Sequence, residues 1–153
     1  MNIEKVAQEE GPFTDCFELL LELAAEVGFA PVDRDKAAGD TYRVIGQGMT
    51  FMARNADGLA LGVLGLVECD FWYSDLTFLA SKWFYVKPEH RFGKVGVRLL
   101  KAAKAEADER GAMVFVATDN PARGFRRRSS WATVTAQGAG YFPAGYVLRL
   151  GER

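Results

Sequence analysis

The segment from residue 78 to residue 118 constrains the fold more than any other part of the chain. Phe78–Val86 is a mostly apolar run that predicts a β-strand, and Met113–Thr118 is a second, shorter one. Between them, Gly96–Arg110 carries apolar residues at helical spacing, and Gly111 predicts the end of that helix. Strand, turn, helix and strand in this order form a βαβ unit, whose right-handed crossover places both strands in one sheet.

The N-terminal part of the chain predicts one helix followed by a loop. The helix has Thr14 as its cap and Gly28 at its end. Its apolar face contains Cys16, Leu19, Leu20, Leu23, Ala24 and Val27. Pro31–Gly48 is rich in Gly, Asp and Arg, which predicts a loop with room for one helical turn around Asp35–Ala38.

Further strands are predicted on either side of the βαβ unit. Met49–Ala53 and Leu59–Val67 are apolar runs that flank the turn signal Asn55–Gly58, so they predict a β-hairpin. The aromatic and acidic stretch Glu68–Thr77 fits either a loop or a strand end, and the tail Trp131–Leu150 predicts two strands. Helices and strands interleave, so the fold class is mixed α/β. A length of 153 residues fits one domain over 1–153.

Composition and charge exclude several kinds of protein. With 19 basic and 20 acidic residues the chain has a formal charge of -1, so we expect no general attraction to nucleic acid or to an anionic membrane. Two distant cysteines and one histidine are too few for a zinc cluster, so we expect no metal. The polar, acidic segment Met1–Gly11 and the lack of a run of about 18 to 20 apolar residues predict a cytoplasmic protein. A homodimer stays open.

The turn between the predicted strand and helix has the composition of an anion site. A helix N-terminus leaves about four N–H groups unpaired and carries positive partial charge, which favours a phosphate. Gly93 and Gly96 allow the backbone to approach a diphosphate, while Arg91 and Lys94 supply positive charge. The alternative is a tight turn that needs its glycines for geometry alone.

A longer pattern around this turn resembles the central motif of the GNAT acetyltransferases. The matching residues are Tyr85, Val86, Lys87, Pro88, Glu89, His90 and Arg91, then Gly93, Gly96, Leu99 and Leu100, and finally Ala107, Glu109, Arg110, Gly111 and Ala112. The resemblance implies a GNAT-like fold with a central, mostly antiparallel twisted sheet flanked by helices. It also implies a splayed strand pair at the cofactor cleft. The aromatic loop Phe71–Leu76 is similar to phage-associated members of the family.

The same resemblance implies acetyl-CoA as the cosubstrate and assigns residues to it. Phe84, Tyr85 and Val86 meet the pantetheine arm through their backbone atoms. The pyrophosphate lies on Arg91, Phe92, Gly93, Lys94, Val95, Gly96 and Val97. Asn120 matches an asparagine that family members carry after the next strand.

Two positions depart from the family pattern. Lys94 stands where the first glycine of the phosphate turn is usual, although Gly93 lies one residue earlier. Arg127 stands where the family has a tyrosine that acts as general acid. The usual proton donor for the departing thiolate is therefore missing from its usual place.

Other residues are candidates for proton transfer. Glu68, Asp70 and Asp75 are possible bases near the expected mouth of the cleft, and solvated loop carboxylates are the alternative. Tyr141 and Tyr146 are possible acids, and packing within the closing strands is the alternative. We select Glu68 as base and rank Tyr141 above Tyr146 as acid.

Three functions compete on the sequence alone. The first is acetyl transfer from acetyl-CoA to an amine of an unidentified small molecule or protein. The second is a module that binds acyl-CoA without turnover, which the missing tyrosine favours. The third is nucleic-acid binding through Arg126–Arg128, although the same arginines fit CoA phosphates or a solvated basic edge, and the overall charge of -1 disfavours nucleic acid.

Overall fold

The computed structural model describes residues 1–117, 140–142 and 145–149. Over these residues the chain forms seven strands and three α-helices. The strands are β1 (Asn2–Lys5), β2 (Thr50–Arg54), β3 (Ala60–Asp70), β4 (Thr77–Val86), β5 (Met113–Ala117), β6 (Gly140–Phe142) and β7 (Gly145–Arg149). The helices are α1 (Glu10–Val27), α2 (Arg34–Gly46) and α3 (Val95–Arg110), and a short 3₁₀ turn, Pro88–His90, lies between β4 and α3.

The strands form one open sheet in the order β1-β2-β3-β4-β5-β7-β6. Every neighbouring pair is antiparallel except β4 and β5, which are parallel. Parallel strands need a crossover connection, and α3 supplies it. The predicted βαβ unit and the mostly antiparallel, mixed α/β class are therefore confirmed.

The predicted hairpin of β2 and β3 is also confirmed. Its turn is held by the Asn55 side chain, whose Oδ1 accepts hydrogen bonds from the N–H groups of Asp57 at 3.0 Å and Leu59 at 2.9 Å. Gly58 has a φ of 83°, a backbone conformation that residues other than glycine rarely adopt. The turn chemistry thus fixes the connection locally.

The predicted start of α1 is wrong, and its predicted end is right. The helix begins at Glu10, so Thr14 lies inside it and does not cap it. Pro12 is tolerated because the first turn needs no intrahelical N–H donors. At the other end, Gly28 has a φ of 65° and donates its N–H to the Ala24 carbonyl at 3.0 Å, which closes the helix.

The loop predicted over Pro31–Gly48 is wrong, because most of this segment is helix α2. The Asp33 side chain accepts a hydrogen bond from the Lys36 N–H at 3.1 Å and caps the helix. One face is buried through Thr41, Val44 and Ile45. Glycine and charged residues obscured this helix in the sequence, whereas tertiary burial of one face stabilises it.

Strand β1 lies in the polar N-terminal segment, where no strand was predicted. It pairs antiparallel with β2, from Asn2 opposite Arg54 to Lys5 opposite Phe51. Glu4 accepts a hydrogen bond from Arg54 at 2.7 Å across the pair. Charged side chains are common on edge strands, where they oppose pairing with another molecule. Apolar alternation therefore could not reveal this strand.

Two apolar clusters pack against the two faces of the sheet. The cluster on the α3 face includes Leu61, Leu64, Leu66, Leu79, Phe84, Val86, Val95, Leu99, Leu100 and Ala103. The cluster on the face of α1 and α2 includes Cys16, Leu19, Ile45, Met52, Val63 and Tyr85, with Trp83 packed against it. The end of β4 is thus held between α1 on one side and α3 on the other. Within the described ranges, no helix combines the length and the apolar character that a membrane span requires.

Candidate functional site

β4 and β5 separate partway along the sheet. Their pairing covers Phe78 to Ala80 on β4 and Met113 to Phe115 on β5. β4 continues to Val86 and stays paired with β3 on its other side. From residue 81 onward, no described strand pairs with the β5 side of β4. This gap is the splayed strand pair that the sequence resemblance implied.

A β-bulge lies where the two strands separate. Gly65 opposes Trp83 and the next residue of β3 opposes Ser81, so Lys82 is the extra residue on β4. A bulge bends its strand and increases the local twist. Gly65 is required here, because a Cβ on it would lie 2.1 Å from an atom of the Trp83 ring. The bulge directly follows Ala80, the last β4 residue that pairs with β5.

Backbone alternation determines which β4 residues face the gap. The Lys87 N–H donates to the Leu61 carbonyl of β3 at 2.9 Å. Successive residues of an antiparallel strand direct their N–H and C=O groups to opposite sides. The backbone of Tyr85 therefore faces β3, whereas the backbones of Phe84 and Val86 face the gap. The sequence had treated these three residues alike.

The N-terminus of α3 lies beside this end of β4. A Cβ on Gly96 would lie 3.7 Å from Cζ of Phe84 and 3.9 Å from Cγ2 of Val86. The first intrahelical hydrogen bond runs from the Arg98 N–H to the Lys94 carbonyl at 3.0 Å. The N–H groups of the three residues before Arg98, which are Val95, Gly96 and Val97, therefore have no acceptor within the helix.

The N-terminus of α3 differs from those of the other helices. Among the described residues no side chain caps α3, and its first turn contains no acidic residue. By contrast, Asp33 caps α2, and Glu10 lies in the first turn of α1. Helices usually place acceptors and negative charge at this end to satisfy the N–H groups and the dipole. The N-terminus of α3 therefore suits an anion from outside the chain.

The two glycines of the turn are not required by its geometry. Gly93 and Gly96 do not have a positive φ, unlike Gly28, Gly58 and Gly111. A Cβ on Gly93 would lie 3.6 Å from the His90 carbonyl oxygen, an ordinary contact. The Cβ contacts at Gly96 are also ordinary. The backbone conformation thus gives no support to the alternative that these glycines serve the turn alone.

The two cations of the turn differ in their surroundings. Lys94 is exposed at the start of α3, and among the described residues no carboxylate pairs with it. Arg91 instead forms an ion pair with Glu26 of α1. Lys94 is therefore the cation that the turn offers to a ligand.

Arg91 is held by three groups at once. Its Nη1 donates to Oε1 of Glu26 at 2.6 Å, and its Nη2 donates to Oε2 of the same carboxylate. Its Nε donates to the Val86 carbonyl at 2.9 Å, and the guanidinium lies 5.4 Å from the centre of the Tyr85 ring. The hydrogen bonds to Glu26 raise the pKa of the Arg91 guanidinium. The structure thus brings Arg91 to the turn but directs its side chain toward α1.

Tyr85 and Lys87 connect the same strand end to α1. The Tyr85 hydroxyl donates to Oε2 of Glu22 at 3.2 Å, and Lys87 Nζ lies 3.8 Å from Oε1 of that carboxylate. Burial, followed by the negative charge of Glu22, raises the pKa of Tyr85 to about 12. The Tyr85 side chain therefore serves the contact with α1.

The candidate bases lie on the closed side of the bulge. Glu68 opposes Leu79 and Asp70 opposes Thr77, in the region where β4 is still paired with β5 or precedes that pairing. Asp75 lies in the connection between β3 and β4. The strands open toward the other end of β4, and the assignment of these carboxylates as bases stays a prediction.

The candidate acid Tyr141 lies inside strand β6. It pairs with Tyr146 of β7, and the connection between these strands comes after Phe142. The two tyrosines are therefore register partners in neighbouring strands, and the choice of Tyr141 as acid stays a prediction. The described residues do not include Asn120 or the three arginines Arg126–Arg128.

The sequence interpretation missed Glu26. It lies in the last turn of α1, one helical turn after Glu22, on the side of the helix that meets the end of β4. A carboxylate in the last turn of a helix opposes the helix dipole, so its position was an available signal. The sequence does not show that Arg91 is the partner of this carboxylate, because the two residues lie far apart in the chain.

The sequence matches a known protein family. Residues 14–128 match the model of the acetyltransferase (GNAT) family. This range contains most of α1, the gap between β4 and β5, and the N-terminus of α3. No curated protein sequence matches the chain.

Solved structures with the same fold cover nearly the whole chain. An acetyltransferase of the GNAT family from Staphylococcus aureus is 15% identical, with a TM-score of 0.67 over 98% of this chain and 99% of that chain. An aminoglycoside 6′-N-acetyltransferase complexed with coenzyme A is 12% identical, with a TM-score of 0.64 over 100% and 99%. A ribosomal-protein-alanine N-acetyltransferase from Brucella melitensis biovar Abortus is 16% identical, with a TM-score of 0.61 over 93% and 98%. At these identities the similarity shows the fold.

Proposed function

The chain belongs to the acetyltransferase (GNAT) family, and on this basis we propose that it transfers the acetyl group of acetyl-CoA to an amine of a small molecule or a protein. Acetyl-CoA, the cosubstrate of this family, supplies the acetyl group as a reactive thioester. The observation that carries the proposal is the uncapped N-terminus of α3 beside the strand that separates from β5.

The residues at this position fit the phosphates of CoA. The N–H groups of Val95, Gly96 and Val97 precede the first intrahelical bond, and the helix dipole adds positive partial charge at the same place. Lys94 adds a formal charge, while Gly93 and Gly96 add no side chain that would hold a ligand away. These residues would bind the pyrophosphate.

The end of β4 fits the pantetheine arm. The backbones of Phe84 and Val86 face the gap, and the Val86 carbonyl accepts the hydrogen bond from Arg91. An amide-rich ligand arm would add hydrogen bonds to this exposed strand side, as a further strand would. The backbone of Tyr85 would not contact the ligand. Its side chain would instead hold the end of β4 against α1.

The reaction also needs two proton transfers. A base or a water molecule must remove a proton from the amine, and an acid must donate one to the departing thiolate. We retain Glu68 as the proposed base and Tyr141 as the proposed acid, each as a hypothesis for mutation. Asn120 is proposed for the cofactor site on the family pattern.

The acceptor is proposed only as an amine. Two proteins with this fold are an aminoglycoside 6′-N-acetyltransferase and a ribosomal-protein-alanine N-acetyltransferase, so the fold accommodates acceptors of very different size. We further propose a cytoplasmic protein of one domain, with a homodimer left open. The resemblance of Phe71–Leu76 to phage-associated members stays a prediction.

A second candidate function is binding of acyl-CoA without turnover. Arg127 favours it, because this arginine stands where the family carries its tyrosine acid. Nucleic-acid binding through Arg126–Arg128 gains no support from the described residues. Binding alone and catalysis both require the phosphate site, so binding and turnover must be measured separately.

The test combines calorimetry with an assay of thiol release. CoA titrated into the protein should bind, and pantetheine, which lacks the nucleotide phosphates, should bind at least about tenfold more weakly, which corresponds to about 1.4 kcal/mol. Release of free CoA from acetyl-CoA is then followed over a panel of aminoglycosides, polyamines and peptide N-termini. CoA binding without release for any amine would support the binding module. No binding of CoA would exclude both candidates.

A further inference from the structure

The pair of Glu26 and Arg91 joins three elements at the end of the proposed cofactor site. Glu26 belongs to α1, Arg91 belongs to the turn before α3, and the Nε of Arg91 donates to the Val86 carbonyl at the end of β4 at 2.9 Å. The two side chains are 22% and 18% exposed, so water reaches them only in part. Their fork-to-fork geometry is the strongest arrangement of this ion pair.

The position of Glu26 is unfavourable for α1 itself. The last turn of α1 has no basic residue, and a carboxylate there faces the negative end of the helix dipole. Arg91 removes this conflict by supplying a guanidinium from the turn. Stability of α1 therefore does not account for a glutamate at this position. The contacts of the pair with the turn and with the end of β4 do.

The pair also changes the electrostatics of the turn. Glu26 neutralises the charge of Arg91 and engages both of its Nη groups. Lys94 has no such partner among the described residues, so it is the cation that can meet an anion. Arg91 thus contributes to the site through the shape of the turn.

We propose that Glu26 is a positioning residue of the cofactor site, which acts by holding Arg91 against the end of β4 so that the turn keeps the shape that receives the phosphates. This inference rests on the proposed function. The alternative is that Arg91 leaves Glu26 and contacts the phosphates directly. The two possibilities predict opposite effects of removing the Glu26 charge.

The experiment measures the dissociation constant of CoA for the parent chain and for Glu26→Gln. We expect an increase of about tenfold, the change that corresponds to the loss of one charge-assisted hydrogen bond. Glu4→Gln is the matched control, because Glu4 pairs with Arg54 at 2.7 Å at comparable exposure, 33% and 17%, on β1 and β2. This control should bind CoA within about twofold of the parent, since surface ion pairs outside the site contribute little.

Arg91→Lys tests the role of the fork while it keeps the charge. Lysine cannot form the bidentate contact, so this variant should lose about as much affinity as Glu26→Gln. The double variant should bind no worse than either single one, because both remove the same contact. If Glu26→Gln fails to fold, as its melting temperature without ligand would reveal, the salt dependence of CoA binding by Arg91→Lys still separates the two possibilities.

Salt dependence separates positioning from direct phosphate contact. Exposed charge pairs are screened by salt, so a residue that contacts a phosphate contributes to the salt dependence of CoA binding. Lys94→Ala should flatten this dependence, whereas Glu26→Gln and Arg91→Lys should leave it unchanged. Tighter CoA binding by Glu26→Gln, or a loss below about twofold, would overturn the inference. If the parent itself does not bind CoA, the proposed function fails first and the inference with it.

Discussion

Reversal of the charge on Lys94 should stabilise the free protein and weaken its binding of CoA. Lys94 precedes a helix N-terminus that no described side chain caps and whose first turn contains no acidic residue. A cation there opposes the helix dipole, and an anion would favour it, by about 0.3 to 1 kcal/mol each. Lys94→Glu should therefore raise the free energy of unfolding by about 1 kcal/mol. For a chain of this size the melting temperature should rise by about 2 to 4 °C.

The effect on CoA has the opposite sign. Two unit charges about 4 Å apart interact by about 1 kcal/mol in water, so a reversal of sign changes the interaction with one phosphate by about 2 kcal/mol. That change corresponds to a dissociation constant about 30-fold higher. Both quantities are measured on the same samples, by thermal unfolding without ligand and by calorimetric titration of CoA.

Lys101→Glu is the matched control for this prediction. Lys101 is exposed on the same helix, away from its N-terminus, and the substitution changes the net charge equally. It should leave the dissociation constant of CoA within about threefold, because distant exposed charges are screened at physiological salt. Equal losses in the two variants would show that overall charge, not the start of α3, attracts CoA. A parent-like affinity of Lys94→Glu would refute the assignment of the phosphates to this helix.

Three further predictions test other parts of the account. Gly62→Ala should lower the free energy of unfolding, measured by urea titration, by about 1 to 3 kcal/mol. The added Cβ would lie 2.9 Å from the Tyr85 carbonyl oxygen and 3.2 Å from Cγ1 of Val95. Parent-like stability would show that α3 can move away from the sheet. Burial raises the pKa of the Cys16 thiol from 9.0 to about 12. The neutral thiol therefore stabilises the fold fully below pH 9 and progressively less up to pH 12, and urea unfolding should show a smaller alkaline loss in Cys16→Ala than in the parent. Tyr141→Phe should reduce turnover by about 100-fold or more if the hydroxyl is the acid, and a reduction within about threefold would remove it from the site.

The strongest sequence signals concerned local structure. The apolar run of β4, the helical spacing of α3 and Gly111 at its end were sufficient to predict the βαβ unit, because each depends on residues close together in the chain. The prediction of a phosphate site in the turn before α3 came from the same segment. Its resemblance to the GNAT pattern gave the family that residues 14–128 match.

The errors arose where distant contacts decide the structure. Helix α2 is held by burial of one face, with Ile45 in the cluster that packs on the sheet, which its glycine-rich and charged sequence does not show. Strand β1 forms by pairing with the edge of β2, a contact between residues that are distant in the sequence. The ion pair of Arg91 was equally hidden, because its partner Glu26 lies 65 residues earlier in the chain.

The central claim is that the N-terminus of α3 binds the phosphates of CoA, and amide chemical shifts test it most directly. On titration with CoA, the N–H signals of Val95, Gly96 and Val97 should shift strongly, because these groups would exchange water for phosphate. The N–H signals at the start of α2, which Asp33 caps, should stay in place and serve as the internal control. Saturable CoA binding that leaves the three α3 signals unmoved would contradict the account.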